Sequence, residues 1–315
     1  HYPLRRQRQM CIRDRKWTPI NEPWVVSWLG HGIGIHAPGV KDRKAAFAAA
    51  HHTVLAHVAS TNAMRAVRSD ILTGPVLNQT NFRADDMNDP VQRHAYEVSD
   101  AHMNTFWMDA FMYGKYPQIL LDEFGDELGA VIKPGDLESA TVKNDFIGIN
   151  YYFDNFIHAS KGEPMQWHSI AGLFDLDIDE TAPGDLTDMG WPLTPEGLKD
   201  LCVRWHKEHG DKLPDLYITE NGAAYDEGIS DDGKCHDARR TSYLQTHIKA
   251  IADAIAEGAP VKGYYEWSLM DNFEWALGYA KRFGIVHVDF DTQKRTIKDS
   301  GYFYADVIKQ NGKNI

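Results

Sequence analysis

Cysteine is scarce in this 315-residue chain, and the shortage narrows the choice of protein class. The three cysteines, Cys11, Cys202 and Cys235, are odd in number and widely separated, and no Cys-x-x-Cys pair occurs. This pattern excludes a disulfide framework and favours a reducing compartment. No run of about 18 apolar residues is present, so we expect no membrane-spanning helix. An apolar signal segment is also missing from the start of the sequence, and we therefore expect a cytoplasmic protein.

Positive charge is in short supply as well. The chain has 33 Lys and Arg residues against 45 Asp and Glu residues, for a net charge of −12. An acidic chain repels phosphate backbones, so nucleic acid is not an expected partner. Residues 1–16 differ from the rest of the chain, because they are arginine-rich and lack apolar periodicity. We predict that they form a disordered or artefactual lead-in; a nucleic-acid-binding arm is the alternative, and nothing downstream supports it.

Patterns that would bind nucleotides or metals are incomplete. The series Gly30-x-Gly32-x-Gly34 does not have the GxGxxG spacing of a dinucleotide site. The histidines do not form an HExxH pair, and the alternating aspartates of residues 175–179 lack the glycine and closing glutamate of a calcium loop. We therefore expect neither a metal nor a cofactor.

From Trp17 onward, short apolar stretches alternate with helical patterns. The apolar stretches are WTPIN (17–21), ILTGPVLN (71–78), DFIGINYY (145–152), LYITE (216–220) and VKGYYEWSL (261–269). Helices are predicted over 42–68, 90–113, 194–209, 237–257 and 297–310. A glycine-rich loop is expected after Pro23, and a long polar loop over 153–190. This alternation predicts a parallel α/β sheet.

Two of the predicted helices have clear apolar faces. In the first, Asp42 is a plausible N-cap, and an apolar stripe follows at helical spacing. The stripe consists of Phe47, Ala50, Val54 and Val58. The predicted buried face of the helix over 237–257 consists of Tyr243, Leu244, His247, Ile248, Ile251 and Ile255.

Each predicted strand ends in polar or aromatic residues, and two of these ends carry a glutamate. Glu22 follows the first strand in the sequence NEP, and Glu220 ends a later strand in TENG. In a (β/α)8 barrel such ends meet on one face and build the active site. Hydrolysis of a glycosidic bond with retention needs two carboxyl groups about 5–5.5 Å apart. Either motif alone could be an ordinary turn, but their pairing on strand ends favours this chemistry.

Longer motifs carry a resemblance to a known family. The segments are WTPINEPW, AAHHTVLAHV, NYY, YITENG, the spaced Asp237, Arg240, Tyr243 and His247, and YYEWSLMDNFEWALGYAKRFGIVHVDF. From about Trp17 to its end, the chain resembles glycoside hydrolase family one, the β-glucosidase family. The resemblance implies a (β/α)8 barrel and hydrolysis of terminal β-D-glucosyl residues through a covalent glycosyl-enzyme intermediate.

The resemblance also implies residue roles. Glu22 matches the acid/base and Glu220 the nucleophile. Asn21 matches the residue that binds the sugar 2-hydroxyl, and Tyr152 the donor to the nucleophile. Trp267 matches the platform beneath the glycone. The pair Glu274 and Trp275 matches the residues that bind its far hydroxyls, and Asn150 joins the candidate binding residues at the strand ends.

Two expectations follow for the chemistry. Glu220 must be ionised to attack, whereas Glu22 must keep its proton, and the proximity of two carboxylates separates their pKa values. Relatives that cleave 6-phosphorylated sugars tend to replace the Glu-Trp pair. Because Glu274 would repel a phosphate, we expect unphosphorylated β-glucosides or oligosaccharides as substrates, with β-galactosides or β-fucosides as side activities.

The chain departs from the family pattern at its front. Family members carry well over a hundred residues before the NEP strand, with the first three barrel strands. We therefore expect residues 17–315 to be the C-terminal part of the barrel, supplying strands four to eight. An incomplete barrel has open edges, so we expect self-association and weak or no activity. The alternative is an inactive piece that binds sugar, pairs with a separate N-terminal half, or is an incomplete gene product.

Overall fold

The computed structural model of the chain describes residues 14–157 and 185–315. Within those residues the strands are β1 (Lys16–Trp17), β2 (Leu72–Thr73), β3 (Val76–Asn78), β4 (Phe82–Ala84), β5 (Phe146–Asn150), β6 (Asn155–Ile157), β7 (Asp215–Asn221), β8 (Val261–Glu266), β9 (Val286–Val288) and β10 (Arg295–Ile297). The α-helices are α1 (Arg43–Val67), α2 (Pro90–Asp100), α3 (Phe106–Tyr113), α4 (Gln118–Leu128), α5 (Asp136–Ser139), α6 (Pro195–His209), α7 (Ala238–Ala256) and α8 (Asp299–Gln310).

The main sheet is parallel and positions the site. Its hydrogen-bonded order is β3-β5-β7-β8. β1 runs parallel to β2, and Asn21 forms a parallel bridge to Val76 of β3. Five chain segments therefore lie side by side in sequence order, with helices between them. The prediction of a parallel α/β sheet is confirmed.

The helix α1 forms where its periodicity predicts. The Asp42 side chain accepts hydrogen bonds from the backbone N–H groups of Lys44 (2.8 Å) and Ala45 (3.1 Å), which caps the first turn. The predicted stripe is buried at Phe47, Ala50, Val54 and Val58. Phe47, Ala50 and Val54 belong to the main core, so α1 turns its apolar face toward that core.

The predicted face of α7 is wrong at its last member. Tyr243, Leu244, His247 and Ile251 are buried, but the side chain of Ile255 is 49% exposed. Four residues advance an α-helix by about 40° beyond a full turn, so a stripe spaced by four drifts around the helix. At the last turn Ala254 takes the buried position instead.

The segment after Pro23 is helical, which corrects the predicted glycine-rich loop. Residues Val25–Gly32 form a π-helix, and the Ile33 N–H donates to the Trp28 carbonyl five residues earlier (2.8 Å). Trp24 and Trp28 are buried in the core. Because backbone polar groups beside buried side chains need partners, this segment satisfies them internally.

Two other predicted elements are interrupted. The stretch 71–78 divides into β2 and β3 at Gly74, where a Cβ would lie 2.0 Å from the Phe146 carbonyl oxygen. The helix predicted over 90–113 contains a π-helical segment, Ala101–Thr105, between α2 and α3. The predicted loop over 153–190 includes β6, which pairs in parallel with β4. Residues 158–184 of that predicted loop lie outside the described residues, as do residues 1–13 of the predicted lead-in.

Within the described ranges, no helix combines the length and apolarity needed to cross a membrane. The main core lies between the sheet and the helices α1, α3 and α6, and includes Trp107, Trp205 and Ile149. A smaller cluster lies beneath the loop that follows β7 and includes Tyr225, Tyr243 and Ile285.

Candidate active site

The carboxyl ends of the parallel strands bring the predicted site residues to one edge of the sheet. Asn21 bridges β3, and the Glu22 N–H donates to the Val76 carbonyl (2.9 Å). In the pairing of β5 with β7, Asn150 lies opposite Glu220. Strand ends of a parallel sheet share one edge, so residues far apart in sequence meet there.

Glu22 is half-buried at a strained turn. Its φ is 49°, in the left-handed region that residues with a side chain rarely occupy. Pro23 follows and cannot donate to a strand, so the extended backbone ends at this point. The Glu22 Oε1 atom accepts a hydrogen bond from Asn150 Nδ2 at 2.9 Å. Strain of this kind persists where surrounding contacts hold it, and it is concentrated at functional sites.

Glu220 accepts a hydrogen bond from one side chain and lies near a second polar side chain. The Tyr152 hydroxyl donates to Glu220 Oε2 at 2.7 Å, and the Asn150 amide lies close enough to lower the pKa of this carboxylate. Both interactions lower the pKa of Glu220, because they favour the charged form. Burial opposes them and raises the pKa overall, with a further contribution from the Glu274 charge.

The two carboxyl groups are electrostatically unequal. Burial raises the pKa of Glu22 to about 7, and the charges of Glu220 and Glu274 add to the rise, while the Asn150 bond opposes it. The Tyr152 phenol donates to Glu220 and not to Glu22. These contacts favour the proton of the pair on Glu22 rather than on Glu220.

The remaining predicted residues lie on the loop after β8. The Trp267 side chain hydrogen-bonds the Glu274 carboxylate, whose pKa burial raises. Glu274 lies close enough to raise the pKa of both Glu22 and Glu220. The Trp275 side chain is 69% exposed, and its ring stacks on that of His36, with 6.4 Å between ring centroids.

The structure therefore joins most of the predicted residues. Hydrogen bonds join Asn150 to Glu22 and to Asn21, the latter from Asn150 Nδ2 to Asn21 Oδ1 at 3.2 Å, and a separate bond joins Tyr152 to Glu220. Trp267 and Glu274 form a second group beside them, and among the described contacts the Trp275 side chain hydrogen-bonds neither of these two side chains. Among the described residues, no group of three or more histidine, cysteine, aspartate or glutamate side chains could hold a metal ion.

Two residues at the site escaped prediction. The Thr219 hydroxyl donates to Asn150 Oδ1 at 2.6 Å. The Trp191 ring packs against Tyr152, with 5.2 Å between ring centroids, and against Phe283 at 6.0 Å. Thr219 lies directly before Glu220, and that adjacency was the available signal. Trp191 lies between the predicted loop over 153–190 and the helix predicted from 194, where no periodicity marks a packed aromatic ring.

Comparison with known proteins decides the family. A family model described as glycosyl hydrolase family 1 matches residues 9–313. The chain belongs to this family. It is 39% identical over 300 residues to Beta-glucosidase A of Thermotoga maritima, an alignment that covers 95% of this chain and 64% of that protein.

Solved structures of family 1 proteins share the fold. Psychrophilic beta-glucosidase BglU from Micrococcus antarcticus superimposes with a TM-score of 0.84 at 39% identity, covering 94% of this chain and 65% of that one. Beta-glucosidase from Thermotoga maritima in complex with glucoimidazole gives a TM-score of 0.82 at 38% identity, covering 94% and 64%. The chain thus spans about two-thirds of the length of these family 1 relatives.

Proposed function

We propose that this chain carries the carboxyl pair of a retaining β-glycosidase of the β-glucosidase type, with Glu220 as nucleophile and Glu22 as acid/base. The observation that carries the proposal is the unequal bonding of the two carboxyl groups. Glu220 accepts from the Tyr152 hydroxyl, which together with the nearby Asn150 amide favours its ionised form. Glu22 is the group whose pKa rises to about 7. A retaining mechanism needs this division between an ionised nucleophile and a protonated acid.

The reaction then proceeds in two displacements. A Glu220 oxygen attacks the anomeric carbon while Glu22 gives its proton to the leaving oxygen, which breaks the glycosidic bond and forms a glycosyl ester. Formation of the ester neutralises Glu220, so the charge that raised the pKa of Glu22 is gone. Glu22, now ionised, takes a proton from water as the water attacks the anomeric carbon and releases Glu220.

The proposed glycone contacts are Asn21, Trp267, Glu274 and Trp275, with Asn150 and Tyr152 beside the reacting centre. The Glu274 carboxylate can accept hydrogen bonds from two neighbouring hydroxyls and would repel a phosphate. We therefore propose unphosphorylated β-glucosides or oligosaccharides as substrates, with β-galactosides or β-fucosides cleaved more slowly.

We further propose that the five parallel segments correspond to strands four to eight of the family (β/α)8 barrel. Among the described residues, β8 pairs with β7 on one side and with no strand on the other. Apolar side chains beside that edge are exposed, including Leu269 (65%), Phe273 (58%) and Trp275 (69%). A free edge with exposed apolar groups favours association with another chain. A single monomeric species in sedimentation velocity would contradict the proposed self-association.

A second candidate is that the chain alone binds sugar without turnover, or needs a separate N-terminal piece. The exposure of Trp275 favours it, because a side chain that binds sugar hydroxyls works by being held in place. Incubation with a mechanism-based 2-fluoro-β-glucoside, followed by peptide mapping, separates the candidates. Labelling of Glu220 in the chain alone supports the enzyme. Labelling only after addition of the N-terminal third of a family 1 relative supports the divided site.

The matched control is Glu220→Gln, which keeps the shape of the side chain but cannot form the ester. It should remain unlabelled under both conditions. Labelling at another carboxylate, or no labelling under either condition, would refute the proposed assignment of the nucleophile.

A further inference from the structure

The amide of Asn150 lies between the two carboxyl groups. Its Nδ2 atom donates to Glu22 Oε1 at 2.9 Å and to Asn21 Oδ1 at 3.2 Å, and the side chain lies close enough to Glu220 to lower the pKa of that carboxyl. An asparagine amide has donors at one end and an acceptor at the other. The bonds to Glu22 and Asn21 therefore require the NH2 end to face the carboxyl groups and the carbonyl end to face away.

The carbonyl end has its own partner. The Thr219 hydroxyl donates to Asn150 Oδ1 at 2.6 Å, and the Asn150 side chain is almost fully buried, at 1% exposure. A buried carbonyl needs a donor, since leaving it unpaired is unfavourable. Thr219 supplies a donor at the end of the amide that the carboxylates do not use.

The backbone is shaped to place the Thr219 side chain there. In the pairing of β5 with β7, Ile149 lies opposite Ile218 and Asn150 lies opposite Glu220, so Thr219 is an extra residue at a register shift. Such bulges redirect side chains and are frequent next to active sites. A Cβ at Gly148 would lie 2.8 Å from Thr219 Oγ1, so the space for this hydroxyl exists because residue 148 is glycine.

We propose that Thr219 is a positioning residue of the site, whose hydroxyl holds the Asn150 amide with its NH2 group facing Glu22 and Glu220. This inference rests on the proposed function, because it gives Thr219 a role only if Glu22 and Glu220 are the reacting carboxyl groups. The hydrogen-bond arrangement can nevertheless be tested without turnover. Removal of the hydroxyl leaves the buried carbonyl without this donor, so the amide rotates or withdraws. Its bond to Glu22 and its interaction with Glu220 then weaken, and the pKa of each carboxyl rises, because the Asn150 amide lowers both.

The test compares Thr219→Val, which has the same shape but no hydroxyl, with Thr219→Ser, which retains the hydroxyl. Thr246→Val is the matched control, because Thr246 is exposed on α7 and hydrogen-bonds within its own helix. The full chain is labelled with ¹³C at the glutamate carboxyl carbons and titrated by NMR. The signals of Glu22 and Glu220 are assigned from their glutamine variants.

Thr219→Val should raise the apparent pKa values of the pair by about one unit, a tenfold change in proton affinity. Thr219→Ser and Thr246→Val should titrate as the unchanged chain does. If Thr219→Val has the same apparent pKa values as the unchanged chain, the proposal is overturned. It is also overturned if Thr219→Ser raises these pKa values as much as Thr219→Val does. If Thr219→Val does not fold, Thr219→Ala removes the same hydroxyl without added bulk and is subject to the same two outcomes.

The pH dependence of hydrolysis gives a second readout wherever turnover is measurable. Both limbs of the profile should move to higher pH in Thr219→Val, because nucleophile and acid both gain proton affinity. A chain that is never labelled or active would refute the proposed function, whereas the NMR titration would still decide the role of Thr219.

Discussion

Replacement of Glu22 by glutamine should stabilise the folded chain above neutral pH. The side chain is half-buried beside a second carboxylate, and the pKa of Glu22 rises from its ordinary 4.5 to about 7, chiefly through burial and then through the Glu220 charge. Each pKa unit corresponds to about 1.4 kcal/mol, so the ionised side chain costs the native state up to about 3 kcal/mol. Glutamine keeps an oxygen that can accept the Asn150 bond but carries no charge.

The sign of the effect follows from proton linkage. A glutamate in the unfolded chain ionises near its ordinary pKa, whereas folded Glu22 keeps its proton until about pH 7. The native state thus binds more protons between these values. The stability that this group contributes is present below its unfolded pKa and is lost as the pH rises through its folded pKa.

Equilibrium urea unfolding, followed by circular dichroism at about pH 5 and about pH 8, measures the difference. The free energy of unfolding of Glu22→Gln should exceed that of the unchanged chain by up to about 3 kcal/mol at the higher pH and by much less at the lower pH. Glu138→Gln, at an exposed glutamate on α5, should show no comparable pH-dependent gain. Equal stabilisation at both pH values, or destabilisation at the higher one, would refute the reasoning.

Two further substitutions test the site and its support. Tyr152→Phe removes the 2.7 Å phenol bond to Glu220 and should raise the pKa of that carboxyl by about one to two units; an unchanged or lower value in a ¹³C titration would contradict this. Gly222→Ala would put a Cβ 1.9 Å from the Trp267 carbonyl oxygen and should destabilise the fold by about 1–3 kcal/mol. Gly228→Ala, where a Cβ would meet nothing within 4 Å, is its control, and equal unfolding midpoints would argue against the clash.

Local patterns predicted the elements that depend on local physics. The bounds of α1 follow from its periodicity, and its N-cap from Asp42, because both act within a few residues of the chain. The π-helix Val25–Gly32 could not be predicted in this way. Its backbone arrangement depends on the burial of Trp24 and Trp28 against residues distant in sequence.

The site shows the same division. Glu22 and Glu220 were identified from short motifs, since the chemistry needs carboxyl groups at strand ends. Trp191 was missed, because its packing on Tyr152 involves a residue nearly forty positions earlier in the chain. Sequence spacing does not predict a contact between two residues so far apart, because the contact depends on how the sheet and its loops fold.

By itself, the sequence determined the strand-and-helix alternation and the family, and it supplied the two carboxyl groups of the proposed pair, because these are properties of residue type and local spacing. Only the tertiary structure decided how the two groups differ. Tyr152 and Asn150 come to Glu220 from β5 and the residues after it, and burial acts most strongly on Glu22. Proton affinity depends on the donors, charges and solvent around a group, and folding alone brings those together.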